Sequence, residues 1–261
     1  MTDAKKILKN FSDHFFLLGE LVKKGIRLKY RRSYLGIVWS LIEPLLTTVV
    51  LVIIFGTLFN NKEQTYPLYI ICGRLLYTFY SQGSKQASGS IRKNASMIKK
   101  VYVPKYLYPL SMVLFNYIIF LISLLVLILV AIYTRTLPTV LIWQVIPALL
   151  LILMLTVGTG MFLATLNVFF RDIEYLWNVV LMLIMYMCAI FYYPDRLLES
   201  GFAWVLNYNP LYCIIDIFRG GILGYMASVW DYSYAFCFSA VLLIFGTWLF
   251  WKKQDDFILH I

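Results

Sequence analysis

From Ile118 to Ile132 every side chain is aliphatic or aromatic except Ser123. A segment of this kind has to leave water, and a bilayer core about 30 Å thick takes roughly 20 predominantly apolar residues per spanning helix. Six stretches meet that description in whole or in part: 34–59, 67–82, 106–133, 140–170, 175–193 and 232–251. They cannot all be packed into a water-soluble core. The chain is 61% hydrophobic and 14% charged over 261 residues, whereas a soluble domain is about 45–50% apolar and about 25% charged, and too few polar side chains remain to cover its surface. The composition therefore excludes a cytosolic enzyme, a disordered region and a nucleic-acid-binding module. The expected fold is all-α, an integral membrane protein of six spans. Residues 1–33 form a preceding interfacial segment and 34–261 the transmembrane domain.

The basic residues set the orientation. Of the 23 Lys and Arg, 18 fall on the face that holds both termini, four on the other face, and Arg74 inside the second span. The positive-inside rule then places both ends in the cytoplasm. The net charge of +10 reads as this topology signal, with anionic lipid head groups as its neighbours, and needs no nucleic-acid partner. The first 33 residues are too charged for a cleaved signal peptide. Cys72, Cys188, Cys213 and Cys237 stand singly, and His14 and His260 lie far apart. That spacing supplies no metal site and no disulfide framework.

Two basic elements face the cytoplasm. Ile7, Phe11, Phe15, Leu18 and Val22 recur at helical spacing among lysines, the pattern of an amphipathic helix in the membrane surface. Between the second and third spans, Gly83 to Lys105 carries six basic and no acidic residues. Ile91, Met97, Ile98 and Val101 there predict the apolar side of a short helix ending before Pro104, suited to a groove on a partner. The alternative is a solvated loop that serves topology alone. No phosphate-binding G-x-x-x-x-G-K-[ST], no G-x-G-x-x-G and no H-E-x-x-H occurs, so nothing here binds a nucleotide or a catalytic metal.

Taken in order, the basic amphipathic start, Arg27-Leu28-Lys29-Tyr30-Arg31-Arg32-Ser33-Tyr34-Leu35-Gly36, Ser40-Leu41-Ile42-Glu43-Pro44-Leu45, Ile98-Lys99-Lys100-Val101-Tyr102-Val103-Pro104-Lys105, Phe169-Phe170-Arg171-Asp172-Ile173 and Tyr208-Asn209-Pro210-Leu211 resemble the permease subunit of type-2 ABC exporters of cell-surface polysaccharides, as in O-antigen and teichoic-acid export. The resemblance implies a homodimer bound to two copies of a separate ATPase, which holds the ATP and Mg, and a lipid-linked glycan as substrate. It implies no cofactor in this chain. It also assigns ATPase coupling to Asn94, Met97, Ile98, Lys99, Lys100 and Val101, with Arg27, Lys29, Arg31 and Arg32 in the interfacial region.

Charges at membrane depth are functional candidates. Glu43 lies about 14 Å of helix rise into the first span and Arg74 about 10 Å into the second from the other side, which brings their depths within about 6 Å in a core about 30 Å thick. A buried pair is one reading; an outward-snorkelling Arg74 and a vestibule-facing Glu43 is the other. The segment from Pro194 to Trp230 is too broken for a span, and its apolar pieces, Gly201 to Tyr208 and Leu211 to Leu223, predict a re-entrant pair of short helices on the outer side. Asp216 and Arg219 share a helical face there and are spaced to pair. In the family this segment is a gate. The aromatics near it, Tyr69, Tyr77, Tyr80, Tyr192, Tyr193, Trp204, Tyr208 and Tyr212, read either as an interfacial belt or as a lining whose rings stack weakly on sugars. A drug or small-lipid exporter of the same architecture, an integral-membrane glycosyl or acyl transferase, and a membrane scaffold are the rivals. The transferase would need clustered carboxylates or histidines, and the acids here are scattered.

Overall fold

The computed structural model describes residues 3–31, 33–59, 63–100, 103–136, 139–199 and 201–260, with side chains from residue 14 onward apart from 196 and 198. Among the described residues the helices are α1 (Asp3–Tyr30), α2 (Trp39–Leu58), α3 (Tyr66–Ser88), α4 (Ser90–Lys93), α5 (Ala95–Ile98), α6 (Leu107–Tyr133), α7 (Val145–Phe169), α8 (Ile173–Met187), α9 (Asp195–Leu198), α10 (Trp204–Asn207), α11 (Pro210–Leu223), α12 (Val229–Lys253) and α13 (Phe257–His260), and no strand is formed. Single 3-10 turns, Gly36–Val38 and Val140–Gln144, lead into α2 and α7.

Four described segments are long and apolar enough to cross a membrane: Gly36–Leu58, Leu107–Tyr133, Val140–Phe169 and Val229–Lys253. The other two expected spans depart from that standard for different reasons. Helix α3 has the length, 23 residues or about 34 Å of rise, but its sequence is polar. It packs against α2, α6, α7, α8 and α11, so protein rather than lipid surrounds it and its polar side chains find partners. Helix α8 has the apolarity but only 15 residues, about 22 Å, because it unwinds at Cys188, short of the expected end at Tyr193.

Ser123, the one polar side chain in the longest apolar run, is explained by Pro44. A proline inside a helix has no N–H for the carbonyl four residues earlier, which here is Ser40. The Ser123 Oγ, shared with the Ile119 carbonyl of its own helix, lies 2.9 Å from the Ser40 carbonyl and donates to it across the α2–α6 contact. Helices α7 and α12 approach until backbone meets backbone. A Cβ on Gly158 would lie 2.6 Å from the Leu243 nitrogen, and one on Gly246 would run into the Gly158 carbonyl. Small residues permit such crossings where lipid offers no hydrophobic driving force between helices.

Helix α1 lies along α6: Val22 is buried with Phe115 and Ile119, and Leu18 and Leu21 share a cluster with Leu107 and Tyr108. Phe15, expected on that apolar stripe, is 67% exposed. The contact with α6 is narrower than the stripe, so Phe15 turns outward with Phe16. Ile7 and Phe11 lie outside the described side chains. Leu18 of α1, Ile91 and Ile98 of the 90–105 connection, Val168, Phe250 and Phe257 join one cluster. This cluster gathers α1, that connection and the C-terminal helix at one end of the bundle.

Candidate functional site

The opposite end is organised by the break in α8. The apolar run continues through Cys188-Ala189-Ile190-Phe191, but Ala189 takes a left-handed φ of 45° and the helix stops. An unwound stretch exposes carbonyls that must be satisfied if they are buried. Here side chains from α3 and α11 take them. Asn209 Nδ2 donates to the Met187 carbonyl at 3.1 Å. The Tyr66 hydroxyl donates to Phe191 at 2.6 Å, and the Tyr69 hydroxyl lies 2.9 Å from both the Ala189 and Tyr192 carbonyls. Arg219 Nη2 donates to Ala189 at 3.1 Å and toward Ile190 at 3.5 Å.

Arg219 is the deepest of these groups, 1% exposed. Its Nε donates to the Tyr69 carbonyl at 3.3 Å, and its guanidinium lies 3.5 Å from the Tyr69 ring centroid. Gly73 makes room: a Cβ there would sit 2.7 Å from Nη2. The expected Asp216–Arg219 pair does not form. Backbone carbonyls hold the guanidinium, while Asp216 Oδ1 accepts from the Tyr225 hydroxyl at 2.8 Å. Burial pushes the Asp216 carboxyl above the usual carboxylate range, and the Tyr225 hydroxyl and the Arg219 charge hold it back.

The Tyr208-Asn209-Pro210-Leu211 motif starts α11. Asn209 caps it through Oδ1, accepting from Leu211 and Tyr212 nitrogens at 3.1 and 3.4 Å, and Pro210 occupies the first turn, where no N–H is missed. The same amide reaches back to α8, so one residue both caps α11 and binds the break. The first limb of the expected re-entrant pair is slighter. Between Gly201 and Tyr208 only the one-turn α10 forms, leaving α11 as the substantial helix. Gln144, fully buried, anchors the far side. Its Nε2 donates to the Tyr225 carbonyl at 2.9 Å, and its Oε1 accepts from Ala227 N at 3.2 Å and from the Tyr232 hydroxyl at 2.8 Å.

Between these anchors lies a cleft of about 680 Å³ lined by Tyr69, Tyr193, Tyr208, Tyr212, Tyr225, Trp230, Asp195, Asp216 and Asp231, with Asn207, Met226 and Ser228 among the remainder. Five residues expected at this mouth, Tyr69, Tyr193, Tyr208, Tyr212 and Asp216, are thus brought together. The others go elsewhere. Tyr77 ties α3 to α8, donating to the Leu181 carbonyl at 2.9 Å. Tyr80 bonds Thr159 at 3.4 Å and meets Trp177 edge to face. Tyr192 donates to the Tyr186 carbonyl, and Trp204 stands exposed on α10. The sequence reading missed Asp195, Tyr225, Trp230 and Asp231 as lining. The available signal was Asp231 at the start of the last span, where it reads as an ordinary anion at a helix N-terminus.

At the basic end, the described part of the expected short helix, 90–100, is not one helix. Asn94 leaves the helical region (φ −107°, ψ 15°) and divides it into α4 and α5. Ile91 and Ile98 point into the core and Met97 packs beside them, so the apolar residues anchor this connection to its own bundle. Arg92 donates to Asn167 Oδ1 at 3.2 Å. What faces outward is Lys93, Ser96, Lys99 and Lys100. Arg27, Lys29 and Arg31 are exposed near the end of α1, while Arg32 and Val101 lie outside the described residues. Glu43 and Arg74 do not meet. Arg74 Nη1 points to Met185 Sδ at 3.8 Å, and Glu43, exposed on α2, acts on Lys29. The Lys29 ammonium is 5.5 and 5.8 Å from the rings of Tyr30 and Phe115. Desolvation there pushes it below the usual lysine range, and Glu43 opposes the shift.

Comparison with known proteins decides the family. The ABC-2 type transporter family matches residues 17–223. The chain belongs to that family. This ABC-2 protein is 28% identical over 258 residues to the O-antigen export system permease protein RfbA of Klebsiella pneumoniae, covering 97% of each chain. It is 24% identical to the capsule polysaccharide export inner-membrane protein CtrC of Neisseria meningitidis over 88% of each. With the polysialic acid transport protein KpsM of Escherichia coli it shares 20% identity over 90% of this chain and 92% of the other. The ABC-2 assignment accounts for the four apolar helices as parts of a multi-pass membrane protein.

Proposed function

We propose that this chain is the transmembrane permease subunit of an ATP-driven exporter that moves a lipid-linked cell-surface polysaccharide across the cytoplasmic membrane. It works as a homodimer with two copies of a separate ATPase, both termini are cytoplasmic, and residues 1–33 are the interfacial segment. The observation that carries this is the joint occurrence of a whole-length likeness to an O-antigen permease and an aromatic cleft at the end away from the basic connections. The named relatives handle polysaccharides, which favours the glycan over a drug or small lipid. No residue performs covalent chemistry. Lys93, Lys99 and Lys100 present charge to the ATPase, and Ile91 and Ile98 pass its displacement to α6 and α7 through the cluster they share. The cleft, on this reading at the outer mouth, is the gate region, and the α8 break with α11 is its movable wall.

The test is to co-express the chain with the ATPase encoded beside it, purify through a tag on this chain, and compare ATPase rates with and without Lys99→Glu and Lys100→Glu. A stable complex, impaired coupling in the double variant and loss of surface polysaccharide on gene deletion are expected. Failure to co-purify an ATPase, together with intact surface polysaccharide in the deletion strain, refutes the proposal.

A further inference from the structure

Resting on that reading, we infer that the cleft is a saccharide subsite selective for uncharged sugar units and closed to anionic ones. Its aromatic side is preformed: Tyr208 meets Trp230 edge to face at 6.0 Å and 88°, and both rings remain about half exposed at 59% and 48%. Exposed rings of this kind offer flat faces for the C–H side of a sugar. The opposite character is acidic. Asp195, Asp216 and Asp231 line the cleft, and among the described side chains no Lys or Arg does, in a chain whose net charge is +10. The guanidinium of Arg219, on the same helix as Asp216, is turned away into the Ala189 and Ile190 carbonyls. Carboxylates accept hydrogen bonds from sugar hydroxyls but repel a uronate, sialate or phosphate. At about 6 Å and an effective dielectric near 20, each carboxylate disfavours an incoming anion by roughly 100-fold before screening. Salt reduces this, and a discrimination of at least about tenfold remains the expectation. The carboxylates are not a cation site, because among the described residues no three metal-ligating side chains converge.

The experiment uses the full complex of this chain with its ATPase in lipid nanodiscs free of sugar detergents, with mannotetraose as the neutral probe and tetragalacturonate as the anionic one, read by saturation-transfer NMR. The neutral probe should receive saturation. Tyr208→Ala with Trp230→Ala should cut the signal roughly tenfold, and Tyr208→Phe, which keeps the ring, should not. The anionic probe should be silent on the wild type and gain signal when Asp195, Asp216 and Asp231 are all changed to Asn. Co-purification with the ATPase checks that each variant is folded. Equal binding of the two probes to the wild type overturns the inference, as does no binding of the neutral probe. If the strain still exports its surface polysaccharide through this chain, the permease reading survives that result. If export does not depend on the chain, the permease reading fails as well.

Discussion

Replacing Arg219 by Met tests whether its side chain holds the α8 break in place. The substitution keeps the volume and apolar stem but removes every donor. The Tyr69 carbonyl loses little, because it sits inside α3 with a helical partner. The Ala189 carbonyl, outside any helix and bonded at 3.1 Å, keeps only the Tyr69 hydroxyl, which it shares with Tyr192. Weakening its satisfaction costs about 1–3 kcal/mol. The contact with the Tyr69 ring, at 3.5 Å and fully desolvated, adds about 2 kcal/mol. The two together come to about 3–5 kcal/mol, which lowers the local opening free energy enough to speed amide exchange of 188–193 by roughly a thousandfold. Hydrogen exchange on the complex in nanodiscs reads this directly, with α6 amides as an internal reference. Arg219→Lys keeps the charge but not the planar fork, and should fall between. Gly73→Ala, whose Cβ would displace Nη2, should reproduce part of the effect. Exchange of 188–193 in Arg219→Met within about threefold of wild type, with normal export, would refute the reasoning.

Three further outcomes are expected. Ser123→Ala strands the Ser40 carbonyl that Pro44 leaves without a donor and should cost about 1–3 kcal/mol, whereas Ser123→Ala combined with Pro44→Ala should recover most of the loss in thermal unfolding midpoint. Gly246→Val forces α12 off the Gly158 carbonyl; overpacking of about 1–3 kcal/mol should appear as lower membrane yield and midpoint, and an unchanged midpoint would contradict the close crossing. For Asp216, burial raises the folded-state pKa above the ordinary 3.8, so the folded state holds the proton more tightly than the unfolded chain. Its stabilising contribution is present below that value and lost as pH rises through the raised one. Asp216→Asn should therefore match wild type in acid and be the more stable protein toward neutrality, measured as midpoint against pH.

Much of this architecture was written in local composition. The apolar stretch at 106–133 folds as the helix α6 (Leu107–Tyr133), and the one at 232–251 lies within the helix α12 (Val229–Lys253), both long and apolar enough to cross a membrane, because a long apolar run favours one secondary structure and its ends are marked by polar residues. Five cleft residues were likewise visible as aromatics and an acid crowding one membrane face. Tyr225 and Trp230 were not, since nothing local distinguishes a lining aromatic from a belt aromatic, and Asp195 was not, since a single acid in a connection carries no local mark of a cleft.

What composition determined, then, is that the chain lies in a membrane, which end is basic, and which segments are apolar enough to cross. Tertiary structure decided everything that depends on a partner many residues away. Cys188 to Phe191 read as a continuing helix, and they unwind because Asn209, Arg219, Tyr66 and Tyr69 supply the donors that free carbonyls require. The stretch 67–82 reads as a span of its own with Arg74 inside it, whereas helix α3 runs on to Ser88 and is central because five helices enclose it. Arg219 reads as the partner of Asp216 three positions away, yet it serves the carbonyls of α8 instead, because a fully buried guanidinium goes where several acceptors converge.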